Sequence, residues 1–322
     1  MAIVETERLG KRYRKTWAVR DLDLAVKEGC IFALLGPNGA GKTTTVRMLT
    51  TAIPPHTGTA RVCGYDVRTQ SFQVRRNIAL VPQGGGLTHQ FNVYDNIWLY
   101  LVLRGLSPWK AKRLAREALE RFDLAAHARK RPSELSGGLR RRVDVGRVPA
   151  LPAPVVFLDE PTTGLDPVAR RTVWSSIREA RERGATVFLT TQAMDEVQEL
   201  ADEVCFLREG VVVWRGSKRS LLDELGQTGA SLVLEDAGNV TGGVSASVLA
   251  EKVRFVEGVL RAEAVGEQPV TLRLQLQGNG ACLPQVISLL YGWGHRLAGL
   301  QVGAPTVEEV YLQLFGRREA DA

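Results

Sequence analysis

The stretch Leu34-Leu35-Gly36-Pro37-Asn38-Gly39-Ala40-Gly41-Lys42-Thr43-Thr44 constrains this 322-residue chain more than any other. It fits the phosphate-loop pattern Gly-x4-Gly-Lys-Ser/Thr. Gly36, Gly39 and Gly41 allow a tight curl in which successive N–H groups turn inward as an anion nest. A helix starting near Lys42 adds the positive end of its dipole. Lys42 then stands as a point charge beside a nucleotide's β- and γ-phosphates, and the Thr43 hydroxyl, followed by Thr44, is placed to ligate Mg²⁺. The apolar run Ile31–Leu35 before the loop and the helical pattern Thr43–Leu49 after it supply the strand–loop–helix context that the motif requires.

The remaining composition narrows the setting. The chain is long enough for two domains. No apolar window of ~18 residues occurs, so no membrane span is expected. The first residues, Met1-Ala2-Ile3-Val4-Glu5, lack a basic region followed by an apolar core, so no secretory leader is expected. Cys30, Cys63, Cys205 and Cys282 are far apart and read as reduced thiols, and the 4 His are too scattered for a structural metal site. The net charge of +7 is spread along the chain without an aromatic-interleaved patch, which argues against nucleic acid.

Residues 2–8 and 19–26 read as strands on either side of the basic run Lys11–Lys15, and Thr59–Val62 and Ile78–Val81 as further short strands. Gly84-Gly85-Gly86 reads as a flexible break. Helices follow at Val93–Arg104, Pro108–Phe122 and Ser136–Val148, the last stopped by Pro149. The run Ile97–Leu103 is apolar nearly all round, which predicts burial or a partner-facing surface. Beyond it come a buried strand at Val155–Leu158, a helix from Pro167 to about Arg183, a strand at Thr186–Leu189 and a short helix at Met194–Ala201. A hairpin around Glu209-Gly210 closes the series. This alternation predicts an α/β fold with a largely parallel sheet covered on both faces. After a helix at Ser217–Leu225 the pattern becomes strand (Ser231–Glu235), helix (Val244–Lys252), strand (Val256–Val265), strand (Val270–Gln277), helix (Leu283–Gly292) and strand (Arg296–Val302). That order is a split β-α-β-β-α-β unit. A final helix is expected after Pro305-Thr306, with Thr306 and Glu309 as a capping box.

Four further segments occur in the order Val81-Pro82-Gln83, Leu135-Ser136-Gly137-Gly138-Leu139, Val155–Thr162 and Gly164-Leu165-Asp166. Together with the phosphate loop they make the chain resemble the nucleotide-binding subunits of ABC transporters over about residues 2–225. Gly-Leu-Arg-Arg-Arg after Gly137 and Thr-Thr-Gln ending at Gln192 are similar to the drug-resistance branch exemplified by daunorubicin exporters. The resemblance implies a P-loop NTPase fold, with a RecA-like core, an antiparallel β subdomain and a helical subdomain at about 84–148. Residues 226–322 would then form a small α+β accessory or regulatory domain. It implies ATP and Mg²⁺ as ligands. Asp159 and Gln83 join Thr43 near the ion, Glu160 acts as general base on the attacking water, and Tyr13 stacks on adenine with Trp17 as rival. Ser136, Gly137 and Gly138 close over the γ-phosphate bound by a second subunit, with Asp166 at the seam of a two-fold dimer that sandwiches two ATP molecules.

The family's usual His after the strand at 186–189 is replaced here by Gln192, which donates a hydrogen bond but carries no proton or charge at neutral pH. Either Gln192 performs a reduced version of the role or turnover is weak. The reading that follows is an ATPase on the cytoplasmic face of the membrane that powers separate integral membrane permease subunits. Those subunits would dock near Gln83–Tyr100 for export of drugs, antibiotics or lipids. The rivals are a soluble ABC ATPase acting on a macromolecular complex and a weakly hydrolysing regulatory subunit.

Overall fold

The computed structural model describes residues 2–147, 153–223, 227–235, 246–266, 270–278 and 280–303. The chain divides into two compact units, Met1–Lys218 and Arg219–Ala322. No helix among the described residues is long and apolar enough to cross a membrane.

The first unit opens with two long antiparallel strands, β1 (Ala2–Tyr13) and β2 (Thr16–Lys27). The sequence suggested two shorter strands, because bulged register along the pair breaks the regular alternation of apolar residues. The basic run Lys11–Lys15 therefore lies on the end of β1 and the tight turn that leads into β2. β3 (Ile31–Leu35) is buried throughout and leads into α1 (Lys42–Leu49). β4 (Thr57–Val62) and the short β5 (Tyr65–Asp66) complete a four-stranded sheet in the order β2-β1-β4-β5. α2 (Ser71–Asn77), a helix that buries only Val74, follows and runs directly into β6 (Ile78–Val81).

The helical segment holds α3 (Val93–Leu103), α4 (Pro108–Arg121) and α5 (Gly137–Gly146). Asn92, Ser107 and Ser136 cap these helices by accepting from the N–H groups of Asp95, Lys110 and Leu139. α3 buries Val93, Ile97 and Leu101, holds Tyr94, Trp98, Tyr100 and Val102 half-buried, and exposes Leu103. The apolar run thus divides between core and surface. The expected stop at Pro149 lies outside the described residues.

β7 (Val155–Asp159), α6 (Pro167–Glu182), β8 (Thr186–Thr191), α7 (Met194–Leu200), β9 (Glu203–Arg208) and β10 (Val211–Ser217) complete the unit. The second sheet runs β10-β9-β3-β8-β7-β6, parallel except at the β10 edge. Its central strands β3, β8 and β7 are buried without interruption because helices and the first sheet cover both faces. Strand alternation sends Ile31, Val156, Leu158, Val187 and Leu189 into the core beneath the helical segment. Phe32, Leu34, Phe157 and Phe188 go to the core on the other face. Phe188 stacks between Phe32 and Phe157 with ring centroids 5.1 and 5.3 Å apart, each pair worth about 0.5–1.5 kcal/mol beyond burial.

The second unit opens within α8 (Lys218–Asp223). It contains β11 (Gln227–Leu234), α9 (Ala246–Val253), β12 (Val259–Val265), β13 (Thr271–Gln277), α10 (Leu283–Gly292) and β14 (Leu297–Gly303). The strands pair antiparallel in the order β12-β13-β11-β14. That order is the split β-α-β-β-α-β arrangement, with a core that includes Leu232, Leu249, Leu272, Val286 and Leu290. The helix expected after Thr306 lies outside the described residues.

Candidate nucleotide site

The carboxyl ends of β3, β6, β7 and β8 lie side by side, which is where ligands bind in sheets of this type. The loop from Gly36 to Gly41 joins β3 to α1. Its middle, Pro37, Asn38 and Gly39, is exposed, Ala40 and Lys42 are buried, and Thr43 and Thr44 are half-buried. Two of its glycines are required by crowding as well as by curl. A Cβ on Gly36 would lie 2.2 Å from the Leu207 carbonyl oxygen, and one on Gly41, where φ is +104°, would lie 2.2 Å from that of Ala18.

Lys42 Nζ donates to the carbonyls of Gly36 (2.7 Å) and Pro37 (3.0 Å) and stands 3.4 Å from Glu160 Oε1. Both side chains of this pair are about 95% buried, so each offsets the other's desolvation. The Thr43 hydroxyl lies 3.2 Å from Gln83 Oε1 and 3.2 Å from Asp159 Oδ1. The Gln83 amide nitrogen donates to Glu160 Oε2 at 3.1 Å, and the Thr163 hydroxyl donates to the same oxygen at 3.3 Å. Lys42, Thr43, Gln83, Asp159 and Glu160 thereby form one connected cluster drawn from three segments distant in sequence. Its hydroxyl, amide and carboxylate oxygens are the hard donors that suit Mg²⁺, so the residues present fit that ion.

Residues that sequence reasoning passed over hold this cluster. Thr190, on β8, donates its hydroxyl to Asp159 Oδ1 at 2.6 Å and accepts the Glu160 N–H at 3.1 Å. Glu160 itself sits at φ +49°, a left-handed backbone that is costly for a residue with a side chain. Arg141 on α5, nine-tenths buried, donates to the carbonyls of Pro82, Asp159, Glu160 and Pro161. Burial lowers the Arg141 pKa, and the carboxylates of Asp144, Asp159, Glu160 and Glu196 oppose that shift. The only sequence signal for these contacts was the spacing of Arg141, Asp144 and Arg147 three residues apart on one helix.

The other expected residues stand at the margins. Tyr13, at the end of β1, is 45% exposed and Trp17 37% exposed. Arg12 pairs across from Trp17 and Tyr13 from Thr16. Gln192 lies exposed one residue beyond β8. Ser136 and Gly137 are exposed at the start of α5, and Gly137 and Gly138 help line a cleft of about 720 Å³ together with Gln83, Glu160 and Gly164. Asp166 caps α6 by accepting from the N–H groups of Val168 and Ala169, and Arg142 donates to its other oxygen at 2.6 Å. The Ala169 N–H first, and then Arg142, hold its carboxyl below the usual range. The Asp-Pro start of this helix was a capping signal in the sequence.

A parallel sheet whose strand ends surround a glycine-rich loop, a buried lysine and paired carboxylates defines a P-loop nucleotide hydrolase. Residues 19–163 match the family model described as ABC transporter. The chain is 38% identical to the daunorubicin resistance ATP-binding protein DrrA3 of Streptomyces coeruleorubidus, over 95% of this chain and 93% of that protein. It is 34% identical to the Nod factor export ATP-binding protein I of Paraburkholderia xenovorans, over 99% of both. A solved ATP-binding subunit of an ABC transporter superposes with a TM-score of 0.65 at 26% identity, covering 70% of this chain and 93% of that one. The chain belongs to the ABC transporter family and carries its ATPase cassette.

Proposed function

We propose that this chain binds and hydrolyses ATP to drive export through separate membrane-spanning subunits, working from the cytoplasmic face of the membrane. The observation that carries the reading is the connected cluster around the phosphate loop, in which a buried lysine and a buried carboxylate meet 3.4 Å apart. Lys42 and the inward N–H groups from Gly36 to Thr44 bind the β- and γ-phosphates. Tyr13 stacks on the adenine. Thr43, Gln83 and Asp159 hold Mg²⁺, which when bound neutralises phosphate charge. Glu160 accepts the proton of the attacking water, and the Gln83 amide orients that water between the Thr43 side and the Glu160 side. Gln192, one residue past β8, orients the γ-phosphate by hydrogen bonding alone.

The Ser136–Gly138 start of α5, exposed at Ser136 and Gly137, is the other anion-binding element of the cassette. In this reading it closes over ATP held by a second copy of the chain, or by a similar chain, with Asp166 near the seam. The permease subunits dock along Gln83–Tyr100. A drug or antibiotic fits the names of the daunorubicin-resistance relatives as cargo, a lipid is the remaining cargo class of this reading, and residues 219–322 act as an accessory unit without catalytic chemistry of their own.

Steady-state ATP turnover of the purified chain beside Glu160→Gln tests the base. We expect a loss of about 10²–10⁴-fold with nucleotide binding retained. Equal rates would end the assignment of Glu160. Affinity capture from detergent-solubilised membranes with ATP present tests the partner. A stoichiometric multi-span protein is expected, and recovery with ribosomes alone would favour the soluble rival.

A further inference from the structure

Gln83 is held by contacts that its own segment does not supply. Arg141 and Asp144 on α5 and Arg147 at its C-cap, spaced i, i+3 and i+6, face the loop Pro82–Gly86, and all three are buried. Arg141 Nη1 donates to the Pro82 carbonyl at 2.7 Å, immediately before Gln83. On the other side of Gln83, Asp144 Oδ1 accepts the Gly86 N–H at 2.9 Å, and Arg147 Nη1 donates to the Gly86 carbonyl at 2.8 Å. Asp144 and Arg147 are themselves paired at 2.9 Å, and the Arg147 guanidinium lies 4.6 Å from the Tyr100 ring centre. A Cβ on Gly86 would stand 2.3 Å from Arg147 Nη2, so any side chain there must displace the guanidinium that holds the Gly86 carbonyl. The triple glycine is thus pinned at Gly86, against the expectation of a flexible break.

Burying three charges on one helix face is a poor way to gain stability, because desolvation consumes most of the attraction. Geometry is what the arrangement provides. The backbone is fixed on both sides of Gln83, and the Gln83 amide spans from Thr43 to Glu160. We propose that the Arg141–Asp144–Arg147 face of α5 is a positioning clamp that sets Gln83 for ATP hydrolysis, which rests on the role proposed above for Gln83.

A double-mutant cycle on the full chain tests the clamp, with kcat, KM and melting temperature measured for every variant. Asp144→Ala removes the acceptor of the Gly86 N–H and the partner of Arg147. It is expected to lower kcat about tenfold, the scale of one charge-assisted hydrogen bond, with KM little changed. Asp144→Asn keeps an acceptor oxygen and should recover most of that loss. With Gln83→Ala already in place, Asp144→Ala should cost nothing more, because the group it positions is gone. Gly86→Ala, which pushes against Arg147 from the loop side, should show the same non-additivity and serves if Asp144→Ala does not fold. A full extra loss on top of Gln83→Ala would overturn the clamp while leaving the Gln83 role standing. An unchanged kcat in Gln83→Ala alone would remove the Gln83 role and the clamp together.

Discussion

The unit ending at Lys218 buries Lys42, Arg141, Asp144, Arg147, Asp159, Glu160 and Glu196, whereas among the described residues of the unit from Arg219 the buried positions are all apolar. Both units solve the same packing problem. β13 in the second buries Leu272, Leu274 and Leu276 and turns the residues between them away, as a one-sided sheet should. β7 in the first is buried along its whole length and ends in Asp159, with Glu160 one residue further. Polar groups are expensive to bury unless paired, so a core selected only for stability looks like the second unit. Apart from Lys11 on β1 and Glu196 on α7, the buried charges of the first lie at the phosphate loop, at the end of β7 and along α5 to its C-cap, around Thr43, Gln83 and Glu160.

The strongest way to break this contrast is Lys42→Ala. It removes the charge proposed to bind phosphate and leaves Glu160 buried without a partner, a loss of about 3–5 kcal/mol for a broken buried pair. We expect nucleotide binding to fall beyond detection in an equilibrium titration and the melting temperature to drop. Adding Glu160→Gln should recover part of the melting temperature and none of the binding. If the double variant recovers neither, the two side chains are not coupled as their 3.4 Å separation implies. The matching change in the other unit, Leu272→Ala, leaves a cavity in an apolar core and should cost about 2–5 kcal/mol of that unit's stability. ATP turnover by the first unit should survive it, and a parallel loss of turnover would argue that the accessory unit is needed for catalysis.

A smaller effect separates the two candidate aromatics. If Tyr13 stacks on adenine, Tyr13→Ala weakens ATP binding by about 1–3 kcal/mol, the range seen for base–aromatic stacking in single-strand recognition, while Trp17→Ala does not. Measuring both by fluorescence titration assigns the site, and the opposite ranking would move the adenine to Trp17.

The fold was legible where the pattern is local. Ile31–Leu35, the helix after Lys42 and α10 follow directly from apolar runs, spacing and proline at a helix start. Bulges hid the true length of β1 and β2, and α2 was too short and too polar to show a period. Strand order belongs to long-range pairing and could enter only through family resemblance. At the site, the residue types carried the chemistry: glycines, Lys42 and adjacent carboxylates are rarely assembled for another purpose. The supporting shell was opaque for the opposite reason. An Arg-rich helix such as Gly137–Gly146 reads as a solvated face, and nothing in the composition says that Arg141 and Arg147 point inward to backbone carbonyls.

Glu196 gives the smallest and most selective test of the contrast, because it is buried in the first unit yet belongs to no proposed step. It lies on α7, where the Trp174 indole N–H donates to its Oε1 at 3.1 Å. Burial raises its pKa above the ordinary 4.5, and hydrogen bonds from Thr191, Thr162 and Trp174 only partly oppose this. The folded chain therefore binds this proton more tightly than the unfolded chain does. Its contribution to stability is whole below pH 4.5 and declines as pH rises through the raised folded value. Glu196→Gln keeps the volume and the acceptor for Trp174 while removing the titration. Melting temperatures of the two proteins should coincide in acid and separate in favour of Gln as pH climbs, since other titrating groups cancel in the difference. A gap that stays constant with pH would mean that Glu196 is as ionised when folded as when unfolded, and that the first unit tolerates one more buried charge than its paired contacts explain.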